Sequence, residues 1–364
     1  MSGMYPDNQD IEIFGEQVSW PGVDPGGKFT NGSFDDPIIK PSFIPAETIN
    51  LILDNLESII TKCEKTPNAT SKTQIADALL KKIMNITPNG YGLYFPGRDL
   101  KTVLGVSTFQ GAWDAVDERF STNGELDYSG LKIGDYLDGL DLSQIPAERG
   151  ATAGQPWNDT YKNNRIVLSA FNPYKGVGDS EVKKDHIRFD FANLSLRGRM
   201  NANNDNTGGY PASEMRAFLE GANGDGTGSK SGVTTAACLN ALKNQIGDCI
   251  LPVRRSLSTK GSNSWITCSL WLPTEHEIFG TSVLGESNYD DMQKLHIPLY
   301  RDSWLYRLKR LNGSRGMYFL SSPHAGSAAY FCCVNSTGVV SGLNASSIAN
   351  IAPAFCVSKR GTTI

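Results

Sequence analysis

The four histidines, His186, His276, His296 and His324, stand far apart, and none has the HExxH or HxH spacing that brings two imidazoles onto one metal ion. Seven cysteines (Cys63, Cys238, Cys249, Cys268, Cys332, Cys333 and Cys356) contain no CxxC pair. Their odd number and scatter argue against a disulfide framework, so they read as buried thiols of a chain made in a reducing cytosol. No GxSxG elbow singles out a serine nucleophile. The glycine-rich GANGDGTGSKSG at 221–232 falls short of a phosphate loop, because Ser229 separates Gly228 from Lys230 and no apolar strand precedes it. It reads as a plain loop, with a calcium loop through Asp225 as the alternative. The carboxylate pairs Asp290-Asp291 and Glu275/Glu277 read as surface residues, since acid/base work needs two carboxyls in one cleft with separated pKa values. Nothing here predicts an enzyme, a cofactor or a bound metal.

Binding is the remaining class, and charge narrows it. With 34 basic against 38 acidic residues and a net charge of −4, the chain has no broad positive field for nucleic acid or an anionic membrane. No stretch nears the ~18 apolar residues of a membrane span. The first twenty residues lack a basic segment and an apolar run, so no secretory signal is expected. At 364 residues the chain has room for two or three domains of roughly 150 residues each.

Three elements must position any binding residues. Over 1–40, Pro6, Pro21, Pro25, Pro37 and the turn-rich GVDPGGKFTNGSFDDP predict an extended, irregular N-terminal arm. Over 41–89, Ile49, Ile52, Leu53, Leu56, Ile59, Ile60 and Cys63 recur at steps of three and four, the stripe of an amphipathic helix. Thr66-Pro67-Asn68 breaks it, and Ser71 with Gln74 starts a second helix through Ile83. That hairpin exposes more apolar surface than two helices hide from each other. Isoleucine at both kinds of seam position favours three or more strands, so Ile49, Ile52, Leu56, Ile59 and Cys63 are the oligomerisation candidates of a homotrimer. From 90 onward, short β-like runs (Tyr91–Phe95, Arg165–Phe171, Ile187–Phe191, Trp265–Leu272, Met317–Leu320, Tyr330–Val334, Ala354–Val357) alternate with a few helices, which predicts an α+β domain over 90–364.

Four ordered strings in that domain carry a family resemblance: Gly134-Asp135-Tyr136 within GLKIGDYLDG, NTGGYPASEMRAFL at 206–219, LWLPTEHEIFG at 270–280, and YFLSSP at 318–323 followed by AYFCCVNSTGVV and IAPAFCV. Together they resemble the C-type-lectin-like surface domains of bacteria and phages, including the variable proteins of diversity-generating retroelements. Phe319 stands where that family usually has Trp, Ser321 where it has Arg, and Ala352 where it often has Arg, so no role needing the arginines carries over. Trp157-Asn158-Asp159 matches a calcium-ligand tripeptide of sugar-binding C-type lectins but stands at the wrong place in the order, and no calcium is expected. The entry DPIIKPSFIPAETINLILDNLESII and the TPNAT break resemble the neck of phage tail-fibre proteins.

These resemblances imply a phage tail-fibre or tip receptor-binding protein located in the virion and made in the host cytoplasm. It would have an arm, a trimerising neck and a lectin-like domain. Its partners would be a host cell-surface protein or glycan and other virion tail proteins. A structural decoration or fibre-connector protein, and a bacterial surface-displayed adhesin, are the alternatives. Pro323, Gly338 and Pro353 fix the backbone of the last segment, YFL ends at Ser322-Pro323, and Phe331, Val334 and Phe355 point inward. The ligand-binding candidates left facing solvent are Phe319, Ser321, His324, Tyr330, Cys332, Asn335, Leu343, Asn344, Ser346 and Asn350. The retroelement resemblance further implies that this Ser- and Asn-rich stretch is diversified.

Overall fold

Period-two alternation decides the first element: Ile11 and Ile13 alternate with Asp10 and Glu12, and Val18 and Trp20 with Gln17 and Ser19. In the computed structural model these residues pair as an antiparallel hairpin of β1 (Gln9–Ile13) and β2 (Glu16–Trp20), with Ile11 opposite Val18. These two strands correct the irregular arm expected over 1–40 at 9–13 and 16–20; the rest of 1–40 lies outside the described residues. Its prolines stand at 6, 21, 25 and 37, outside both strands, so none removes a ladder donor. The structure describes residues 9–13, 16–20, 46–62, 67–68, 74–75, 97–145, 163–179, 182–289, 293–311 and 313–361. The chain divides into two compact units, Met1–Gly90 and Tyr91–Ile364.

In the first unit the apolar stripe forms the helix Ala46–Lys62. Leu51 and Ile52 stand 65% and 53% exposed, Leu56 and Ile59 are half-buried, and Ile60 is buried. Ile49 lies on the same helix, and Cys63 lies outside the described residues. Of the second helix, Gln74 and Ile75 are helical, and the rest of the stretch from Ser71 to Ile83 lies outside the described residues. The Gln74 side chain accepts the Asn68 N–H at 2.8 Å, which ties the Pro67-Asn68 break to the next turn.

The second unit is α+β. Its strands in chain order are β3 (Tyr136–Leu140), β4 (Asn164–Phe171), β5 (Ile187–Phe191), β6 (Leu196–Gly198), β7 (Ile250–Leu251), β8 (Val253–Ser258), β9 (Asn263–Cys268), β10 (Arg310–Leu311), β11 (Ser314–Arg315), β12 (Tyr318–Pro323), β13 (Tyr330–Val334), β14 (Val340–Asn344), β15 (Ala349–Ile351) and β16 (Ala354–Val357). One five-stranded sheet has the order β3-β4-β5-β16-β7 and is antiparallel throughout. The other has the order β14-β13-β12-β15-β6, with β12 and β15 parallel. The strands β8–β9 and β10–β11 form separate hairpins.

Every residue of β5, β12 and β16 is buried, so these strands are covered on both faces. The helix Phe109–Glu118 covers the first sheet. It starts at Thr108, whose hydroxyl accepts the Gly111 N–H at 2.9 Å, and it sets Trp113 edge-on against Phe189 at 5.3 Å. Phe189 in turn stacks on Phe355 at 5.8 Å. The strand expected to end before Ser322-Pro323 runs through Pro323, which faces Phe331 after a register shift. An irregular ladder tolerates a residue without an N–H donor. Tyr91–Phe95, Trp157-Asn158-Asp159 and Asp290-Asp291 lie outside the described residues.

The pair Glu275/Glu277, expected at the surface, is fully buried. Both residues open the helix Glu275–Phe279, where Thr274 and Glu277 form a capping box. Glu277 is ion-paired to Arg188 at 2.6 Å and to Arg255 at 2.9 Å, and it accepts the Tyr174 hydroxyl. Arg188 also grips Asp190 through two bonds of 2.9 and 3.1 Å, and Tyr300 donates to Asp190 at 2.8 Å. Glu275 accepts the N–H groups of Val283, Leu284 and Gly285 at 2.8–3.1 Å. The apparent surface chemistry of the sequence is therefore a core network that joins the helix Glu275–Phe279 to β5 and β8 and pins the 283–285 loop.

Candidate functional site

The candidate face is built where β12 hands over to β13. Beyond Pro323 the chain turns through 324–329, and the His324 N–H closes the turn on the Tyr330 carbonyl at 3.1 Å. Three supports fix this turn from behind. Asn206, fully buried, donates through its amide to the carbonyls of Ser327 at 2.8 Å and Tyr330 at 2.7 Å, and its N–H bonds the Ala328 carbonyl at 2.8 Å. The Lys260 ammonium donates to the carbonyls of His324 at 2.8 Å and Ala325 at 2.7 Å. The Ala325 N–H bonds the Leu284 carbonyl at 2.8 Å, in the loop that Glu275 holds.

The neighbouring turn after β14 is stitched to the same place. The Ala345 N–H bonds the Ala329 carbonyl at 2.8 Å, and the Asn201 N–H bonds the Ala345 carbonyl at 3.0 Å. Ser346 donates its hydroxyl to the Asn204 side chain at 2.6 Å. The segment 201–206 thus braces both turns.

On this base His324 and Tyr330 meet edge to face at 6.0 Å. Both rings lie over Gly342, where an added Cβ would sit 2.9 Å from His324 Cδ2 and 3.2 Å from Tyr330 Cδ2. A side chain at 342 would displace them. Asn344 pairs directly across from Tyr330 and shares its face of the sheet. Tyr330 is 37% exposed, and His324, Asn344 and Ser346 are half-buried. The result is a ring, an imidazole, an amide and a hydroxyl with no carboxylate or ammonium directed outward among them. Such a surface offers contact area and adaptable hydrogen bonds.

The structure does not gather the other candidates there. Phe319, Ser321 and Cys332 are buried, which corrects their placement at the solvent face. Cys332 does follow Tyr330 at the next same-face position, but it stands opposite Gly342 beneath the converging rings. Phe319 pairs with Cys333 inside the doubly covered β12, and the Ser321 N–H bonds the Pro273 carbonyl at 2.9 Å. Leu343 stands opposite Phe331 and packs against the core. Asn335 lies at the far end of β13, where its side chain caps its own turn by accepting the N–H groups of Thr337 and Val339 at 2.9 and 3.1 Å. Asn350, on β15, donates to the Met317 carbonyl at 2.8 Å.

Sequence reading missed Asn204, Asn206 and Lys260. The one available signal was the Asn-rich NANNDN at 201–206, a composition that marks side chain-to-backbone turns. The six described cysteines are buried, and burial pushes the Cys333 thiol up to about 11, far from a thiolate nucleophile. Among the described residues no group of three or more His, Cys, Asp or Glu side chains gathers to hold a metal ion. Asp225 instead caps its own turn, accepting the Thr227 N–H at 2.8 Å.

Residues 184–359 match a family model described as a domain of unknown function, DUF6273. The match runs from just before β5 to just past β16 and takes in the core network except Tyr174, together with the 201–206 brace, Lys260 and the whole candidate face. No curated protein and no solved structure matches the chain. Among the described residues no helix is long and apolar enough to cross a membrane.

Proposed function

We propose that this chain is a receptor-binding protein of a phage tail fibre or tip, which captures a host surface protein or glycan without chemistry. In this reading the unit Tyr91–Ile364 is a C-type-lectin-like domain, and Tyr330, His324, Asn344 and Ser346 are its contact residues. The helix Ala46–Lys62 is part of a trimerising neck, and the hairpin β1–β2 belongs to the segment that joins other virion proteins. The observation that carries the proposal is the partly open, polar and aromatic Tyr330–His324–Asn344–Ser346 face, mounted on turns held by backbone-directed hydrogen bonds. Support for the neck comes from Leu51 and Ile52, two large apolar side chains left open on one helix.

The test is binding of the labelled full chain to a panel of bacterial cells, read by flow cytometry, beside a Tyr330→Ala, Asn344→Ala, Ser346→Ala triple variant. Binding by the parent and its loss in the variant is the expected result. A variant that stains the same cells as strongly as the parent would remove this face from the proposal.

A further inference from the structure

At the other end of β12 and β13 from the Tyr330 face, the second unit has a cleft of about 440 Å³, within the ~300–1,000 Å³ usual for small-molecule sites. Its walls bring together Arg165, Lys309, Arg310 and Arg315, against one carboxylate, Asp190. That carboxylate is already matched, since Arg188 grips it through two bonds and the Tyr300 hydroxyl donates to it. Arg165 is matched as well, by a two-bond pair with Asp138 at 2.8 and 2.6 Å, and it lies over the Tyr136 ring at 3.6 Å. Lys309 is buried, donates to the Phe191 carbonyl and faces the rings of Tyr300 and Tyr318 at 5.6 Å.

Arg310 and Arg315 differ from these. They are direct cross-strand partners on the β10–β11 hairpin, and both are exposed. Among the described residues neither is ion-paired to a carboxylate; Arg310 donates to the Gly313 carbonyl at 3.0 Å. Like charges directly opposite on a ladder repel, so the pair is unfavourable until an anion stands between its members. Two guanidinium forks side by side suit an oxyanion of carboxylate or phosphate type. The remaining wall is of another kind, with Leu299, Leu305 and Leu308 beside Tyr306 and Asn193. Apolar faces next to single hydroxyl and amide groups match a ring with alternating CH and OH groups.

We propose that this cleft binds an acidic sugar, its oxyanion held between Arg310 and Arg315 and its ring against Leu305, Leu308 and Tyr306. The site is separate from the Tyr330 face, and its test does not depend on capture of host cells. The oxyanion can come from a uronate carboxylate or from a sugar phosphate, and the probes are chosen to separate these sources. Isothermal titration of the full chain would use glucuronate and glucose 6-phosphate, with glucose and inorganic phosphate as controls, at low and at about 0.5 M salt. At least one acidic sugar should bind, more weakly in high salt and more tightly than both controls, and the tighter of the two names the source. In an Arg310→Gln, Arg315→Gln variant that binding should weaken about tenfold or more, the size of a lost charge-assisted hydrogen bond, with the melting temperature unchanged. A single Arg315→Gln variant gives the same reading if the double variant is unstable. Binding of neither acidic sugar, equal binding of inorganic phosphate or glucose, or undiminished binding by a folded arginine variant would overturn the proposal.

Discussion

The core network and the Tyr330 face are both held by polar side chains, but the bonds end on different atoms. In the core, Arg188, Asp190, Glu277, Arg255, Tyr174 and Tyr300 bind one another's side chains, so each position requires a particular residue. At the face, Asn206, Lys260 and Asn201 bind the main-chain carbonyls of His324, Ala325, Ser327, Tyr330 and Ala345. Those bonds form whatever side chains the carbonyl-bearing residues carry. A turn fixed through its backbone can keep its shape while its outward residues change, which is what a binding surface with replaceable contacts requires.

The largest effect should come from breaking the side-chain network. Arg188→Leu keeps bulk but leaves Asp190 and Glu277 short of a buried cation, and removal of one partner from such a pair costs about 3–5 kcal/mol. In a domain of this size that amounts to a fall of roughly 10 °C in melting temperature by calorimetry. A variant melting within about 2 °C of the parent would show that the network does not support the fold.

Next comes pH. His186 stacks on Tyr174, a member of the network, and uses both ring nitrogens as a neutral imidazole: Nδ1 lies 3.1 Å from the Lys184 carbonyl, and Nε2 accepts the Tyr174 N–H at 3.2 Å. Burial pushes its pKa down from 6.5 to about 4. A proton on Nε2 would break the bond to Tyr174. The unfolded chain takes up that proton at higher pH than the folded one. The contribution of His186 is therefore complete above pH 6.5 and is lost as pH falls toward 4, by about 3 kcal/mol in all. Denaturant titrations of the parent and of His186→Asn at pH 7.5 and 4.5 should converge at the lower pH. Equal stability differences at both would refute the assignment.

A third prediction addresses the backbone supports of the face. Asn206→Ala takes from the Ser327 carbonyl its amide donor and from the Tyr330 carbonyl one of two donors, the His324 N–H remaining, at about 1–3 kcal/mol, and frees the 324–329 turn. Faster amide exchange at Gly326 and Tyr330, with exchange in β5 and β16 less affected, is the expected pattern. Uniform acceleration across the unit would mean that Asn206 supports the core instead.

These two regions were unequally legible. Ile187–Phe191, Tyr330–Val334 and Ala354–Val357 stand out as short β-like runs, and they are strands β5, β13 and β16. Nothing near Glu277 in the sequence hints at Arg188, 89 positions away, which takes Glu277 into the core. Phe319 was misplaced because alternation assigns one face of a strand to solvent, whereas β12 is covered on both; Cys332, on β13, is buried opposite Gly342 although Tyr330 on the same face is exposed. Asn206 was missed because its partners lie 121 and 124 residues onward, and nothing local marks an asparagine that serves a distant turn. The Arg310–Arg315 pair depends on hairpin register, which composition does not contain.

The smallest effect completes the comparison. If the face is fixed through its backbone, the Tyr330→Ala, Asn344→Ala, Ser346→Ala variant should lose little stability, because exposed replacements cost within about ±0.5 kcal/mol each. Ser346 is the most sensitive of the three, since its hydroxyl donates to Asn204 at 2.6 Å. Its N–H also reaches Asn204 at 3.2 Å, and the neighbouring Ala345–Ala329 and Asn201–Ala345 bonds need no side chain, so the turn keeps its anchor. Gly342→Val supplies the contrast on the same face. Its side chain would enter the space of the His324 and Tyr330 rings, which lie 2.9 and 3.2 Å from the new Cβ, and force them apart. The triple variant should therefore melt with the parent within about 3 °C, while Gly342→Val, one substitution, falls further. The reverse order of melting temperatures would mean that the outward side chains hold the turns, and that the face is a structural surface rather than a replaceable one.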